Sequence, residues 1–384
     1  MINLEDKFFK IFGTNVEYFY KTPGRINIIG EHIDYNGGVV LPCAISRYIY
    51  LYVSIRSDNI IKFASTKYDT IFERNLNNLD YNKDDDWAIH GFGVIKVLQN
   101  HGYVVPKGLN IFIDSTIPVA SGLSSSAGFL VAMLFMLNDL FHFKIGKLDL
   151  IKYAQLVENE YLGLKSGVMD QASIVLGDKN KAILLDCKNL DYELVDVNMN
   201  DYSLVVLQTN KERKLKESCY NERVDECNEA LSIIKKAYPD ISYLTDLKVN
   251  DLPNIDKMLD NKLFRRVKHV VTEQQRVYDF YNALKENNLA KAGLILNQSH
   301  ESLRVDYEVT GIHLDTICEL ARINHAIGAR MTGAGMGGCA IALVKKDEFY
   351  TFKENVINGY KEKIGFAPDV YAVDITRGPK KMQL

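Results

Sequence analysis

The sequence predicts an α+β protein built from two domains. Its 384 residues, of which 47% are hydrophobic and 25% charged, supply enough apolar material for more than one core. Strand-like and helix-like segments follow one another in the first half of the chain, whereas long charged helical segments dominate after about residue 200. We therefore expect one α+β domain over residues 1–200 and a second over residues 201–384.

In the first half, β-branched and aromatic runs indicate strands, and apolar residues at helical spacing indicate helices. The chain opens with a short amphipathic helix. The predicted strands cover residues 45–55, 60–64, 109–117 and 182–186, and the segment 39–45 continues a strand after a glycine turn. The predicted helices cover residues 87–100, 127–143 and 147–161.

In the second half, the same criteria predict a helix-rich domain with a small sheet. Helices are expected at residues 219–237, 263–286, 289–303 and 314–325. Strands are expected at residues 203–207, 339–344 and 369–375. These segments define the predicted second domain.

Composition argues against several classes of partner. A net charge of -3 without a basic patch gives no reason to expect nucleic acid or a membrane surface. The longest apolar run, residues 129–137, is too short to span a bilayer, and the first residues lack the features of a secretory signal. Six cysteines without zinc-like or CxxC spacing fit a cytoplasmic protein. We expect a monomer by default.

The first stretch that could carry chemistry is TPGRINIIGEHIDYNGG, residues 22–38. Five polar or ionisable side chains lie among isoleucines that favour burial. They are Arg25, Asn27, Glu31, His32 and Asp34. Because buried charges must be paired or engaged, the cluster indicates either an ion-pair network or a polar ligand site. Both interpretations stay open on these residues alone.

The second stretch is PVASGLSSSAG, residues 118–128. Its composition also suits a flexible glycine-serine linker. However, it connects a predicted strand to a predicted apolar helix, so its serines lie where a helix start leaves free N–H groups. Such N–H groups and the helix dipole favour an anion, especially phosphate. The stretch lacks the Gly-Lys-Ser/Thr of a P-loop.

Two further features stand out. In GARMTGAGMGGCAIALV, residues 328–344, the glycines match G-x-G-x-x-G, but a helix is predicted before the loop and a strand after it. This order is the reverse of a dinucleotide-binding fingerprint, and the glycines allow close backbone approach. Asp170 lies among apolar residues, where it is either a helix cap or ion-pair partner, or an acid-base group.

These stretches, in this order, resemble the GHMP kinases and within them the galactokinases. The resemblance also covers residues 167–171 (GVMDQ), 218–227 (SCYNERVDEC), 299–310 (SHESLRVDYEVT) and the Trp87 segment, so that it spans about residues 16–345. It implies the two-domain GHMP kinase fold, with a ribosomal-protein-S5-like first domain and a ferredoxin-like second domain. The active site is expected in the cleft between them.

The resemblance also implies an activity and roles for residues. It implies a kinase that transfers the γ-phosphoryl group of ATP to the anomeric hydroxyl of galactose. Asp170 would be the acid-base residue facing the C1 hydroxyl, and Arg25 would lie beside it and stabilise developing negative charge. The residues expected to bind the sugar are Glu31, His32, Asp34, Gly167 and Tyr220.

The resemblance implies ATP and Mg²⁺ sites as well. The residues expected to contact the nucleotide phosphates are Ala120, Ser121, Gly122, Leu123, Ser124, Ser125 and Ser126. Ser126 and Glu158 would bind Mg²⁺, a set of oxygen donors that suits this ion. Trp87 would contact adenine, although it is also an ordinary candidate for a core anchor, and Ser65 would be a further nucleotide contact.

The sequence departs from the family pattern at four positions. Ala120 stands where the family usually has a glycine, and His90 stands where it has an aromatic residue near Trp87. Ile33 replaces a common threonine, with its side chain expected to point away from the sugar, and Ser166 replaces a frequent cysteine. Two alternatives stay open: a sugar 1-kinase for N-acetylgalactosamine or arabinose, and a galactose sensor without turnover.

Overall fold

The computed structural model describes residues 4–118, 122–211 and 216–384, with the side chains of 216–219 left out. Two predicted nucleotide contacts, Ala120 and Ser121, therefore lie outside the described residues. None of the helices in the described ranges combines the length and the apolar character needed to cross a membrane.

Twelve strands form two separate sheets in the described part of the chain. The strands are β1 (Tyr18–Ile29), β2 (Val39–Ile55), β3 (Ile60–Ser65), β4 (Phe72–Asn75), β5 (Leu109–Ser115), β6 (Lys181–Asp186), β7 (Tyr192–Asp196), β8 (Tyr202–Gln208), β9 (Gly328–Thr332), β10 (Cys339–Lys345), β11 (Asp369–Val373) and β12 (Lys380–Met382). The larger sheet has the order β12-β1-β2-β5-β3-β4, with β6 added to β2 and β7 to β6. The smaller sheet has the order β11-β8-β10-β9.

Eleven α-helices pack around these sheets within the described ranges. They are α1 (Leu4–Phe12), α2 (Ile89–Asn100), α3 (Ser125–Leu140), α4 (Lys147–Leu156), α5 (Met169–Leu176), α6 (Lys216–Ile234), α7 (Leu252–Ile255), α8 (Asn261–Lys285), α9 (Leu289–Ser302), α10 (Gly311–Ile323) and α11 (Phe349–Ile364). Short 3-10 turns lie at Asp34–Asn36, Lys83–Ala88, Leu244–Asp246 and Val249–Asp251, and π-helical turns lie at Val157–Tyr161 and Leu303–Tyr307. Turns of the π type are frequent at functional sites.

The pattern of burial explains the sequence of the central helix. Ten of the sixteen residues of α3 are buried, which accounts for its nearly continuous apolar sequence. The helix packs on β1 and β2 and carries the serine stretch at its N-terminus. The sheet and the helix core thus fix the position of that N-terminus.

Most predicted elements are confirmed, with shifted ends. The helix expected at 127–143 begins at Ser125 and ends at Leu140, and the helix expected at 147–161 changes at Val157 into a π-helical turn. The interpretation of the second glycine loop was incomplete, because β9 lies between α10 and the loop, so that the loop joins two antiparallel strands. A helix still does not follow the glycines.

The C-terminal end returns to the first sheet. β12 pairs with β1 in antiparallel fashion, and Ile375 forms a bridge with Ile45. The last residues of the chain therefore contribute to the sheet formed mainly by the first two hundred. The division into residues 1–200 and 201–384 stays a prediction.

Candidate active site

A small polar cavity gathers most of the predicted sugar and catalytic residues. Its volume is about 140 Å³, and it lies where the segment after β1, the first turn of α5, helix α6 and the loop after β9 meet. The residues that line it are Arg25, Glu31, His32, Asp34, Glu158, Ser166, Gly167, Met169, Asp170, Tyr220, Gly333 and Ala334. The structure thus brings together residues more than 300 positions apart in the sequence.

An arginine-carboxylate pair forms one wall of this cavity. Arg25 lies on β1 and donates from Nε and Nη2 to the two carboxylate oxygens of Asp170, at 2.7 Å each. Its Nη1 donates to the carbonyl oxygen of Gly122 at 2.7 Å. Burial opposes the charge of Arg25, but Asp170 outweighs that effect and raises the pKa of the guanidinium. One side chain therefore links the acid to the serine stretch.

The serine stretch meets the same acid directly. Ser124 is buried, adopts a left-handed backbone conformation with φ 58° and donates a hydrogen bond from its hydroxyl to Asp170. Leu123 is fully buried, whereas Ser125 is half-buried and Ser126 is exposed in the first turn of α3. The first turn of α3 follows Ser124 directly, so that the anion site predicted at this helix start would lie beside Asp170.

Glu31 is held by groups from the second half of the chain. Its Oε1 lies 2.8 Å from Nη2 of Arg330 and accepts hydrogen bonds from the backbone N–H of Gly333 at 2.8 Å and from Thr332. Both charged side chains are almost completely buried. A buried carboxylate fixed in this way is a positioned acceptor on the cavity wall.

His32 enters the cavity from a constrained backbone. Its φ of 62° is unusual for a residue with a side chain, and Asn36 holds its carbonyl oxygen at 3.0 Å. Burial, together with the positive charges of Arg223 and Arg330, lowers the pKa of His32 to about 3, so that the ring is neutral. Its buried Nε2 has no hydrogen-bond partner among the described residues and is available to a ligand.

A chain of hydroxyl groups supports the other ring nitrogen. Nδ1 of His32 lies 2.9 Å from the hydroxyl of Tyr35, which lies 2.8 Å from the hydroxyl of Tyr307. The hydroxyl of Tyr307 in turn lies 3.2 Å from Sγ of Cys227. Because Nδ1 is engaged, this chain fixes the orientation of the ring.

Asp34 and Gly167 fit together on the opposite wall. A Cβ built on Gly167 would lie 2.7 Å from Cγ of Asp34 and would collide with its carboxylate, so a larger residue there would have to displace that side chain. Burial raises the pKa of Asp34 to about 7, and the charges of Asp170 and Glu31 add to this effect. Donors from a ligand would stabilise its charged form.

Glu158 and Tyr220 complete the lining. Glu158 lies in the π-helical turn, and its Oε2 accepts a hydrogen bond from Gln171 at 2.6 Å. Burial raises its pKa to about 7, and the charge of Asp170 contributes. Tyr220 lies on α6 with its ring 5.7 Å from that of His32, and burial raises the pKa of its phenol well above 10.

Trp87 and Ser65 lie outside this cavity. Trp87 is half-buried in an aromatic cluster, with the ring of Tyr68 stacked on it at 5.8 Å and the ring of Phe63 at its edge. Nδ1 of His90 lies 3.2 Å from the carbonyl oxygen of Trp87. Ser65 ends β3 and accepts a hydrogen bond at its hydroxyl from the backbone N–H two residues later.

The two glycine loops touch each other. Gly333 has φ 85°, and a Cβ built on it would lie 2.9 Å from the carbonyl oxygen of Gly122. The close backbone approach predicted for the second loop is therefore confirmed. Ile33 is fully buried in the core and does not line the cavity, also as predicted, whereas Ser166 does line it.

Sequence reasoning missed the residues that hold the site from behind. Arg330 lies on β9, directly before the second glycine loop, and its charge within an apolar strand was the signal that could have marked it. Glu273 on α8 accepts from the backbone N–H of Gly30, and Nε2 of His269 lies 3.1 Å from the Glu31 carbonyl oxygen. The spacing of apolar residues along α8 gives no sign that Glu273 and His269 contact this segment.

Comparisons with known proteins agree with this arrangement. Family models match at residues 6–55 (galactokinase galactose-binding signature), 90–178 (GHMP kinases N terminal domain) and 280–362 (GHMP kinases C terminal). The curated galactokinase of Clostridium perfringens (strain 13 / Type A) is 44% identical over 99% of both chains. That of Ligilactobacillus salivarius (strain UCC118) is 43% identical over 98% of both chains.

Solved structures confirm the α+β GHMP kinase fold. The crystal structure of Lactococcus lactis galactokinase complexed with galactose matches with a TM-score of 0.95 at 39% identity, over 99% of both chains. Methanococcus jannaschii mevalonate kinase matches with a TM-score of 0.67 at 19% identity, over 94% of this chain and 99% of that one, which shows the shared fold alone. With three family models, full-length relatives and this structural match in agreement, the chain belongs to the galactokinase family of the GHMP kinases.

Proposed function

We propose that this protein transfers the γ-phosphoryl group of ATP to the C1 hydroxyl of α-D-galactose, giving galactose 1-phosphate and ADP. The observation that carries the proposal is the position of Arg25, which contacts Asp170 in the sugar cavity and Gly122 in the serine stretch. A single guanidinium thereby joins a sugar-sized polar cavity to an anion site. This is the junction at which phosphoryl transfer to a sugar would take place, within cytoplasmic galactose metabolism.

In this proposal, Asp170 orients the C1 hydroxyl and accepts its proton as the oxygen attacks phosphorus. Phosphoryl transfer depends mainly on positioning and on stabilising charge, so a strong base is not required. Arg25 stabilises negative charge on the attacking oxygen and on the phosphoryl group. Ser124 fixes the carboxylate from the side of the serine stretch, through its hydrogen bond.

The remaining wall residues would bind the sugar hydroxyls. Glu31 and Asp34 supply carboxylate acceptors, and neutral His32 supplies an unpartnered Nε2. Tyr220 adds a neutral phenol. A sugar that lacks a matching hydroxyl would leave one of these buried groups unpaired, which is the basis for strong discrimination.

The start of α3 would bind the triphosphate. The described residues Gly122 to Ser126 present backbone N–H groups and hydroxyls there, and Trp87 with Ser65 would contact the nucleoside. The stacked pair of Trp87 and Tyr68 supports an aromatic base site, while the packing of Trp87 against Phe63 equally serves the core.

Mg²⁺ would enter with ATP and be held by Glu158 and Ser126. Within the described residues, no group of three or more histidine, cysteine or acidic side chains could hold a metal. Mg²⁺ nevertheless suits a carboxylate and a hydroxyl, because it is usually bound by one or two protein oxygens, substrate phosphates and water. Burial raises the pKa of Glu158, and a bound cation would lower that pKa again by stabilising the ionised carboxylate. When bound, the ion would neutralise charge on the phosphates.

The small volume of the cavity favours galactose over N-acetylgalactosamine. The cavity has a volume of about 140 Å³, and N-acetylgalactosamine would need additional space there for its acetyl group. The galactose sensor remains an alternative from another class, because a sensor would bind the sugar in the same cavity. The pairing of Asp170 with Arg25 and Ser124 favours an enzyme, since sugar binding alone does not require a link to the serine stretch.

An ADP-release assay with Mg-ATP tests the proposal across galactose, glucose, N-acetylgalactosamine and arabinose. We expect galactose to give the highest kcat/KM, and galactose binding without ADP release would identify a sensor. Asp170→Asn should lower kcat at least about a hundredfold while the galactose Kd, measured by calorimetry, changes only a few-fold. Asp196→Asn, at an exposed ion pair with Lys181, is the control. Near-normal turnover of Asp170→Asn would show that Asp170 is structural.

A further inference from the structure

A second and larger cavity lies apart from the candidate active site. Its volume is about 590 Å³, and helices α3 and α4, the end of α5 and the segment 376–382 enclose it. None of its lining residues also lines the catalytic cavity. The volume falls within the range of small-molecule binding sites.

The floor of this cavity is apolar. Val131 and Phe135 come from α3, Leu150 from α4 and Leu176 from the end of α5, and Val131, Leu150 and Leu176 are buried. Such a surface favours contact with the apolar body of a ligand.

The rim is cationic. Four basic residues line it, namely Lys21, Lys147, Arg377 and Lys380. The only carboxylate among the described lining residues, Asp178, is paired with Arg377 at 3.1 Å. Three lysines are then left without an ion-pair partner in the described ranges, in a chain whose net charge is -3. The rim therefore attracts anions.

The two strand lysines show that this charge is not balanced by the protein. Lys21 on β1 lies directly opposite Lys380 on β12 in the antiparallel register, an arrangement in which like charges repel. The neighbouring Lys381, by contrast, lies 2.9 Å from Asp139. The Nζ of Lys21 sits 3.6 Å from the centre of the Tyr48 ring, which stabilises the ammonium without neutralising it.

We propose that this cavity binds a small organic anion, with an apolar or aromatic body on the helical floor and a phosphate, sulfonate or carboxylate group between the lysines. The anion would neutralise the opposed charges of Lys21 and Lys380. The site shares no lining residue with the candidate active site.

A ligand in this cavity would contact two helices that also carry residues of the candidate active site. Its floor includes the second half of α3, whose first turn carries Ser125, and the end of α5, whose first turn carries Asp170. Phe135 lies about 15 Å along α3 from Ser125, and Leu176 about 9 Å along α5 from Asp170, at 1.5 Å per residue. Two short rigid helices thus connect the two cavities.

The test uses the fluorescent anion 8-anilinonaphthalene-1-sulfonate on the full-length protein. We expect saturable binding of one molecule that persists at saturating galactose and Mg-ATP. The double variant Lys21→Gln/Lys380→Gln should bind it about tenfold more weakly, because two charge-assisted contacts are lost. Lys381→Gln, which changes the adjacent lysine of the same strand, is the matched control and should bind as the unmodified protein does.

Further measurements separate this site from non-specific binding. The uncharged analogue N-phenyl-1-naphthylamine should bind at least about tenfold more weakly than the sulfonate, and the affinity of the sulfonate should fall with added salt. Displacement of the probe by ATP or galactose, equal binding by the double variant and the control, or no saturable binding would each overturn the proposal. The double variant must keep its thermal unfolding midpoint, and its ADP-release activity provides a second measure of folding.

Discussion

Replacing Asp34 by asparagine should stabilise the protein without ligand while removing its affinity for galactose. Burial, and then the charges of Asp170 and Glu31, raise the pKa of Asp34 from 3.8 to about 7. Because the folded-state pKa lies above the ordinary value, the folded protein holds the proton more tightly than the unfolded chain does. This contribution to stability is present below about pH 4 and is lost as the pH rises through 7. At pH 8 the ionised carboxylate of Asp34 lowers the free energy of unfolding.

The size of that cost follows from the difference between the two pKa values. At 1.36 kcal/mol per pKa unit it is on the order of 4 kcal/mol, and partial access of solvent to Asp34 reduces it to about 2–4 kcal/mol. Unfolding of 384 residues has an entropy of about 0.8 kcal/mol per degree. Asp34→Asn should therefore raise Tm by about 2–5 °C at pH 8. At pH 5 the rise should be roughly 1–2 °C, because the unfolded chain is already ionised there and folding must take up a proton.

Calorimetric or fluorescence melts at the two pH values, each with and without galactose, measure this effect. Added galactose should raise Tm of the unmodified protein and leave that of the variant unchanged. Asp170→Asn serves as the comparison, because it leaves the buried guanidinium of Arg25 without its partner and should lower Tm. A lower Tm of Asp34→Asn at pH 8, or an equal change at both pH values, would refute the electrostatic reasoning.

Two other substitutions probe the walls of the cavity. Gly167→Ala should raise the KM for galactose at least about tenfold, because the added methyl group displaces the carboxylate of Asp34. Gly146→Ala, where a Cβ meets only one atom at 3.9 Å, is its control, and equal KM values in the two variants would contradict the steric argument. Ser124→Ala should lower kcat roughly tenfold, because Asp170 loses a hydroxyl donor. The Kd for galactose, measured by calorimetry, should stay unchanged. An unaltered kcat would count against a role of this contact in turnover.

Local sequence patterns predicted the elements whose periodicity is regular and missed those where it is broken. The strand β1 escaped prediction because Pro23 and Gly24 interrupt it, and the structure has a register shift at this point. Its partner β2 was predicted over much of its length because Val, Ile, Leu and Tyr dominate it. The serine stretch was placed correctly between a strand and a helix because both neighbours have strong patterns.

The sequence also marked individual residues of the candidate site without showing which neighbours they contact. Arg25, Asp170 and Asp34 stand out as ionisable residues within apolar stretches, and these are the residues that the structure gathers in one cavity. Tyr307 and Cys227 could not be predicted as members of the hydrogen-bond chain behind the His32 ring, because their contact depends on how α6 and the turn after α9 pack. A pattern marks a side chain as unusual, but only packing decides which neighbour it meets.

The segment after β1, which we propose binds the sugar, depends on the second half of the chain for its shape. Arg330 and the backbone of Gly333 hold the carboxylate of Glu31, while Glu273 and His269 hold the backbone on either side of it. Removing one partner of a fully buried pair such as Glu31 and Arg330 costs about 3–5 kcal/mol, which is far more than an exposed ion pair contributes. Since phosphoryl transfer relies on positioning, the packing between the two sheets is itself a determinant of turnover. Changes far from the cavity, at the contacts of α8 and β9 with this segment, should therefore affect catalysis through the orientation of Glu31.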